Sequence, residues 1–351
     1  DRNKRAQVSI TAPAVSGRRM KVCVVGLGAI GGTLGYYLAK AGCELSALAR
    51  GKTLAALAQK GLRLIEGKAG QAIEGSVSIR ASGDPSCLGP QDLVVLAVKA
   101  PALGALAPAL KPLLKADTIV MPAMNGIPWW FFQDFGAALK GRRLRSVDPD
   151  GLISSSIPRK SILGCVVHLG AVCPEPGLVK PLPLKTLILG EPSGTSSARL
   201  TALAGLFTRA GFDVKISHSI QNDIWYKLWG NMTMNPISAL TGATMDRILD
   251  DPLVEAFCRQ IMTEAEHVGE RIGCKIEQSI EDRLAVSRTL GAFKTSMLQD
   301  VEAGKPLELD ALVGAVAEIG DLLGLQTPAI DILLGLTRLR ARMEGLYPEE
   351  A

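Results

Sequence analysis

The sequence predicts an α/β protein in two parts: a doubly wound, mostly parallel sheet interleaved with helices, then an all-helical region. Three observations predict it. Lys21 to Val25 is a short β-branched run that ends in a glycine turn and leads into a helical pattern from Thr33 to Lys40. Asp92 to Val98 (DLVVLAV) and Asp117 to Met121 are nearly continuous apolar runs, as parallel strands covered on both faces require. From Ser219 onward the alternation of strand and helix gives way to helix alone, so the boundary falls near Ser217, with one domain over residues 20–217 and the other over 218–351.

The first element, Met20 to Gly35, reads MKVCVVGLGAIGGTLG. Gly26 lets the chain turn tightly, Gly28 has no Cβ to block a phosphate, and Gly31 lets the helix lie close on the strand. The turn Gly26, Leu27, Gly28, Ala29, Ile30 and Gly31 therefore reads as the phosphate-binding corner of a Rossmann-type fold, with free N–H groups at the helix start facing the pyrophosphate of a dinucleotide. A purely structural turn is the plainer alternative. The second strand, Glu44 to Ala49, decides which dinucleotide. Where an NAD site needs a carboxylate for the ribose 2′-OH, this chain has Arg50 with Lys52 behind it. A guanidinium there suits a 2′-phosphate, so the expected cofactor is NADP(H); a solvated strand end is the other reading.

Further along, Thr53 to Lys60 reads as a helix and Leu62 to Ile79 as two short strands about Gly67 to Gly70. Lys99 ends the strand Asp92 to Val98. A proline-punctuated helix follows to Leu114, and Asn125-Gly126 lies just past the strand ending at Met121. Ligands bind beyond the carboxyl ends of such strands, so Lys99 and Asn125 are placed to face the cofactor, or are ordinary strand-end polar residues. Ile127 to Leu139 starts with Pro128 at a first-turn position and carries Trp129, Trp130, Phe131, Phe132 and Phe135, a cluster expected in the core or at an interface. Arg142 to Lys160 reads as a polar loop. Ile162 to Cys173 and Leu178 to Leu189 read as strands joined at Pro174 to Gly177, Ser196 to Ala210 as a helix, and Phe212 to Ile216 as one more strand.

With 351 residues, 47% hydrophobic and 21% charged, the chain can bury two sizeable cores and is not a disordered protein. The net charge of +5 is concentrated in residues 1 to 19, where Arg2, Lys4, Arg5, Arg18 and Arg19 face only Asp1. The nearly neutral remainder gives no electrostatic footprint for nucleic acid or an anionic membrane. Seven cysteines, odd in number and without a CxxC, fit a reducing cytoplasm and neither a disulfide framework nor a zinc site. No apolar run reaches membrane-spanning length, and residues 1–19 are expected to be a disordered extension ahead of Met20.

The second domain opens with a helix from Ser219 to Asn235. Lys227, Asn231 and Asn235 stand at i, i+4 and i+8, one stripe carrying an ammonium and two amides. No other charge occurs between Asp223 and Asp246, so the stripe is hemmed in by apolar residues. Partial burial would lower the pKa of Lys227 and make it a proton donor near neutral pH; a snorkelling lysine with two capping asparagines is the alternative. Downstream, Thr295 to Asp300 (TSMLQD) precedes Lys305 to Asp310 (KPLELD), and Glu308 either opens a helix or aims a carboxylate into a cleft.

Taken together, the glycine turn with Arg50, Lys99, Asn125-Gly126, the Lys227/Asn231/Asn235 stripe, and Ser296 followed by Glu308 resemble the ketopantoate reductase (2-dehydropantoate 2-reductase) family from about Met20 to the C-terminal region. The resemblance implies NADPH-dependent reduction of 2-dehydropantoate to pantoate in the cytoplasm. It implies Lys227 as general acid, Glu308 holding substrate and lysine, Asn231, Asn235 and Ser296 on the keto acid, and Lys99 and Asn125 beside the nicotinamide. The expected partner is a small 2-keto acid, with neither nucleic acid nor membrane, and the expected assembly, if any, is a homodimer. Three features depart from the family's pattern: Met124 where Gln usually precedes Asn-Gly, a longer loop from Ser146 to Pro158, and Phe293 where some members carry a polar group. They leave open a reductase of another 2-keto acid or β-hydroxy acid, and, in another class, a non-catalytic NADP-sensing protein.

Overall fold

The computed structural model describes residues 18–67 and 73–349, so the extension expected at residues 1–19 lies outside the described residues except for its last two. Five strands, β1 (Lys21–Val25), β2 (Glu44–Leu48), β5 (Arg80–Ser82), β6 (Leu93–Leu96) and β7 (Ile119–Pro122), form a parallel sheet in the order β5-β2-β1-β6-β7. The strand order reverses at β1, which pairs with β2 on one side and β6 on the other. That reversal leaves a crevice at the carboxyl end of β1, where the glycine turn lies.

The remaining strands are not part of that sheet. β3 (Leu62–Glu66), β4 (Ile73–Val77), β8 (Gly164–Glu175), β9 (Leu178–Gly190) and β10 (Asp213–Ile216) make a second, mixed sheet in the order β10-β9-β3-β4, with β8 antiparallel to β9. Helix α1 (Ala29–Lys40) is held between the two sheets and is buried from Gly31 through Leu38. Its glycines make this possible: a Cβ on Gly32 would lie 2.6 Å from Val179 of the second sheet. A helix covered on two sides has no polar face to show, which is why its sequence carries so little amphipathic signal.

The aromatic run is core, as one of its two readings required, but it is not helical. Trp129 to Phe132 are four consecutive residues, each at most 5% exposed. No helix can bury four successive side chains on one face. The segment is instead a series of turns that ends in a short 3₁₀ turn, Ala137–Leu139. The loop after it is more ordered than its composition suggests. It contains α4 (Leu152–Ser156), whose first amides, Ile153 N–H and Ser154 N–H, donate to the buried Asp148 carboxylate at 3.0 and 3.1 Å.

Every element after β10 is helical. The long α6 (Ile220–Thr241) does not stop at Asn235 but runs on through Pro236, although proline cannot donate the helical hydrogen bond at that position. Burial of Ile237, Ser238 and Ala239 keeps the last turn in place, and Gly242, with φ of 74°, ends it in the left-handed region. One hydrophobic cluster runs from the first sheet (Cys23, Val25, Val94, Leu96) through the aromatic run to Trp225 and Trp229 of α6 and on into the other helices. No helix among the described residues is long and apolar enough to cross a membrane.

Candidate active site

The glycine turn has the shape its sequence requires. Gly26 has φ of 91°, and a Cβ on Gly31 would lie 2.0 Å from the Gly26 carbonyl oxygen, so both positions exclude any larger residue. Gly28 differs from both, because a Cβ there would meet nothing within 4 Å. It is the N-cap of α1, no side chain caps that helix, and the N–H groups of its first turn therefore face an open space. This cradle fits a pyrophosphate. Leu27 is buried beside it, Ala29 and Ile30 are half-buried, and Arg50 stands exposed at the end of β2 as the N-cap of α2 (Gly51–Lys60). Among the described residues Arg50 makes no ion pair, which leaves its guanidinium available to an anion.

Lys227 lies at the seam between the sheets and the helices. Its Nζ donates to Asn125 Oδ1 at 2.8 Å and to the Val167 carbonyl of β8 at 2.6 Å. Burial pushes its ammonium down to about 8, and the neighbouring Cys165 and Glu308 oppose that shift. Asn231 is half-buried and Asn235 buried on the same stripe of α6, and neither amide makes a side-chain hydrogen bond among the described residues. Ser296 opens α10 (Ser296–Glu302) and is exposed; the capping role there belongs to Thr295, whose hydroxyl accepts from Leu298 N–H at 3.2 Å.

Glu308 precedes a π-helical turn, Asp310–Gly314, that continues into α11 (Ala315–Leu323). Its Oε1 accepts from the Ala100 N–H at 3.0 Å, at the start of α3 (Ala100–Leu106). Burial raises its pKa, against the pull of that N–H and of Lys99 and Lys227. The π-turn docks on Asn125-Gly126: Ile127 N–H donates to the Ala311 carbonyl at 2.8 Å, and a Cβ on Gly126 (φ of 83°) would stand 2.5 Å from that oxygen. Lys99 is not free at its strand end. Its ammonium pairs with Asp300 Oδ2 at 2.6 Å and donates to the Pro306 carbonyl at 3.0 Å.

The structure therefore brings Asn125, Lys227 and Glu308 together, ties Lys99 to the segment that leads to Glu308, and sets Arg50 and the glycine turn apart at the crevice. Sequence reasoning missed Asp300, although its carboxylate stands in the stretch TSMLQD and Lys99 needed a partner. It also missed His168, next along β8 from the carbonyl that holds Lys227, whose pKa falls to about 4 through burial and the charges of Lys227, Arg283 and Lys215. Backbone groups such as the Val167 carbonyl carry no sequence signal. Against Asn125 lies an apolar cavity of about 30 Å³. Two of the departures from the family's pattern meet in its wall, Met124 and the loop residues Val147 and Ile153. Among the described residues no group of His, Cys, Asp and Glu side chains could hold a metal ion.

Comparison with known proteins bears on this arrangement along nearly the whole chain. The family described as "Ketopantoate reductase PanE/ApbA" matches residues 22–194, and its C-terminal counterpart matches residues 219–341. A 2-dehydropantoate 2-reductase of Mesorhizobium japonicum is 43% identical over 93% of this chain and its own full length. The crystal structure of a candidate ketopantoate reductase from Ralstonia solanacearum is 54% identical with a TM-score of 0.89, covering 94% of this chain and all of its own. A PanE/ApbA family ketopantoate reductase from Ralstonia eutropha is 28% identical with a TM-score of 0.78, over 93% of this chain and all of its own. A D-mandelate dehydrogenase, at 21% identity and a TM-score of 0.77, shares the fold. With both family matches placed on the two halves that meet at Lys227, the chain belongs to the ketopantoate reductase family, oxidoreductases that act on a CH–OH group.

Proposed function

We propose that the chain reduces 2-dehydropantoate to pantoate, with NADPH as cofactor and Lys227 as the proton donor. The observation that carries this reading is the partly buried Lys227 ammonium, fixed by Asn125 and Val167 and brought to about 8, where it is an acid of useful strength near neutral pH. The name shared by the relatives supports the substrate. In this reading residues 20–217 hold the cofactor and 218–351 supply the acid and the substrate contacts. The N–H groups above Gly28 hold the pyrophosphate, and Arg50 holds the 2′-phosphate through charge-assisted hydrogen bonds. Bound NADPH would supply the hydride.

The protein's own work is to position the keto acid and to manage one proton. Asn231, Asn235 and Ser296 hold the substrate's carboxylate and hydroxyl groups, so the carbonyl oxygen comes to rest beside Lys227 Nζ. As negative charge grows on that oxygen, Lys227 gives up its proton, and Asn125 and Val167 keep the amine aimed while it does so. Glu308 helps hold the substrate and favours the charged lysine through its field. Lys99 and Asn125 would stand beside the nicotinamide when the cofactor is bound. A second reading, reduction of another 2-keto acid, is favoured by Met124 and the Val147/Ile153 wall beside Asn125.

Following NADPH absorbance with a panel of 2-keto acids separates the readings. The expected result is a kcat/KM for 2-dehydropantoate at least about tenfold above that of any other member, a difference of about 1.4 kcal/mol in transition-state binding. Preference for a different keto acid would transfer the assignment to it, and no reduction of any of them would overturn the proposal.

A further inference from the structure

We propose that Asp300 is a positioning residue: by clasping Lys99 it fastens the helical half onto the sheet half and fixes Glu308 in its working place. This rests on the reading of Lys227 and Glu308 given above. Asp300 stands on α10 four residues after Ser296, hence on the same face of that helix, and two residues before the helix ends at Glu302. The chain then turns back at Gly304, with φ of 61°, and Lys305 N–H closes the turn on the Asp300 carbonyl at 2.9 Å. Asp300 thus uses its backbone to shape the segment that leads to Glu308 and its carboxylate to anchor it.

The anchor is Lys99. Its ammonium reaches both ends of the turned segment, Asp300 Oδ2 at 2.6 Å and the Pro306 carbonyl at 3.0 Å. The next residue, Ala100, gives its N–H to Glu308 at 3.0 Å. Two successive residues at the start of α3 therefore hold three points of one loop on the opposite half of the protein. The two side chains of the ion pair are only 33% and 19% exposed, so the pair is sheltered from the solvent that makes most surface ion pairs worth little. Without the clasp, Lys99 keeps only the neutral Pro306 carbonyl as partner, and between Lys99-Ala100 and the turned segment the one charged contact left is that of Glu308. Burial and the negative charge of Asp300 both push Glu308 toward its protonated form, and Lys99 opposes them, so the clasp also bears on the charge of Glu308.

A double-mutant cycle with Asp300→Asn and Lys99→Met tests the proposal in the full chain. Asp300→Asn keeps the shape and removes the charge, and it should lower kcat/KM for the keto acid by about tenfold or more. Because Lys99 is also placed beside the cofactor, the cycle is read on the Ala100 amide: Lys99→Met should speed its exchange about as much as Asp300→Asn does, and adding it to Asp300→Asn should speed exchange less than about threefold further, since the two changes break one interaction. Asp300→Glu should recover part of the loss. Hydrogen exchange supplies a readout independent of turnover: the Ala100 amide, bonded to Glu308, should exchange faster in Asp300→Asn while amides in the centre of β1 do not. Multiplicative effects in the cycle, or an Ala100 amide as protected as in the unmutated chain, would overturn the clasp. If the unmutated protein reduced no 2-keto acid, the proposed function would fail while the Ala100 exchange rate would still decide the role of Asp300.

Discussion

If Lys227 donates the proton, raising the pH should switch the enzyme off far below the range where an ordinary lysine titrates. Burial brings its ammonium from 10.5 to about 8. With that value, about nine-tenths of the molecules carry the proton at pH 7 and about one-tenth at pH 9, whereas a lysine left at its ordinary value would still be almost fully charged at pH 9. The rate of the chemical step should therefore fall nearly tenfold for each unit above pH 8. Single-turnover NADPH oxidation at saturating substrate measures that step without interference from product release. Two variants fix the owner of the limb. Lys227→Arg keeps a cation that does not titrate, so the residual rate, reduced by roughly 10²- to 10⁴-fold, should be flat with pH. Glu308→Gln removes a negative neighbour that holds the ammonium up, so the limb should move below 8. A limb near 8 that survives in Lys227→Arg, or an unmutated enzyme whose rate is flat to pH 10, would refute the reasoning and return the proton to another donor.

The other expectations concern the two ligands. NADPH should bind at least about tenfold tighter than NADH, about 1.4 kcal/mol, and Arg50→Ala should remove most of that gap when both affinities are measured by titration. Gly31→Ala places a methyl 2.0 Å from a backbone carbonyl and should lower the melting temperature by the equivalent of about 1–3 kcal/mol or more, whereas Gly28→Ala meets no atom and should melt normally while binding NADPH at least about tenfold more weakly. Gly28→Ala with unweakened NADPH binding would remove the cofactor from that cradle. If both asparagines position the substrate as proposed, Asn231→Ala and Asn235→Ala should raise the KM for the keto acid and lower kcat; a change confined to the KM for NADPH would reassign them.

What could be read from the sequence followed the range of the interactions concerned. The glycine turn, the buried parallel strands and the Lys227/Asn231/Asn235 stripe are local patterns, and each lies in the element its spacing implied. The split into two sheets was not legible, because strand partners are chosen across the chain: β3 joins β9, more than a hundred residues away, at Arg63 and Leu64. The second-domain helix was read as ending at Asn235, but it runs on through Pro236 to Thr241, where the next three residues are buried. The aromatic run was read correctly as core or interface, yet only the packing shows that it is a series of turns burying Trp129, Trp130, Phe131 and Phe132. Lys99 is the instructive case at the site. Its position at a strand end suggested a cofactor contact, and the structure adds a partner, Asp300, that no local pattern could pair with it.

The setting of Lys227 belongs to neither half alone. Lys227 is carried by α6 on the helical side, but the groups that give it its character come from the other: Asn125 follows β7, and Val167 and Cys165 lie on β8. An exposed helix would leave the same lysine hydrated and at its ordinary value, since only desolvation lowers it. The continuous hydrophobic cluster that joins the first sheet to Trp225 and Trp229 supplies that desolvation by holding the two halves shut. The apolar residues around the stripe therefore have a chemical as well as a structural effect: the packing that joins the halves sets the acid strength of Lys227.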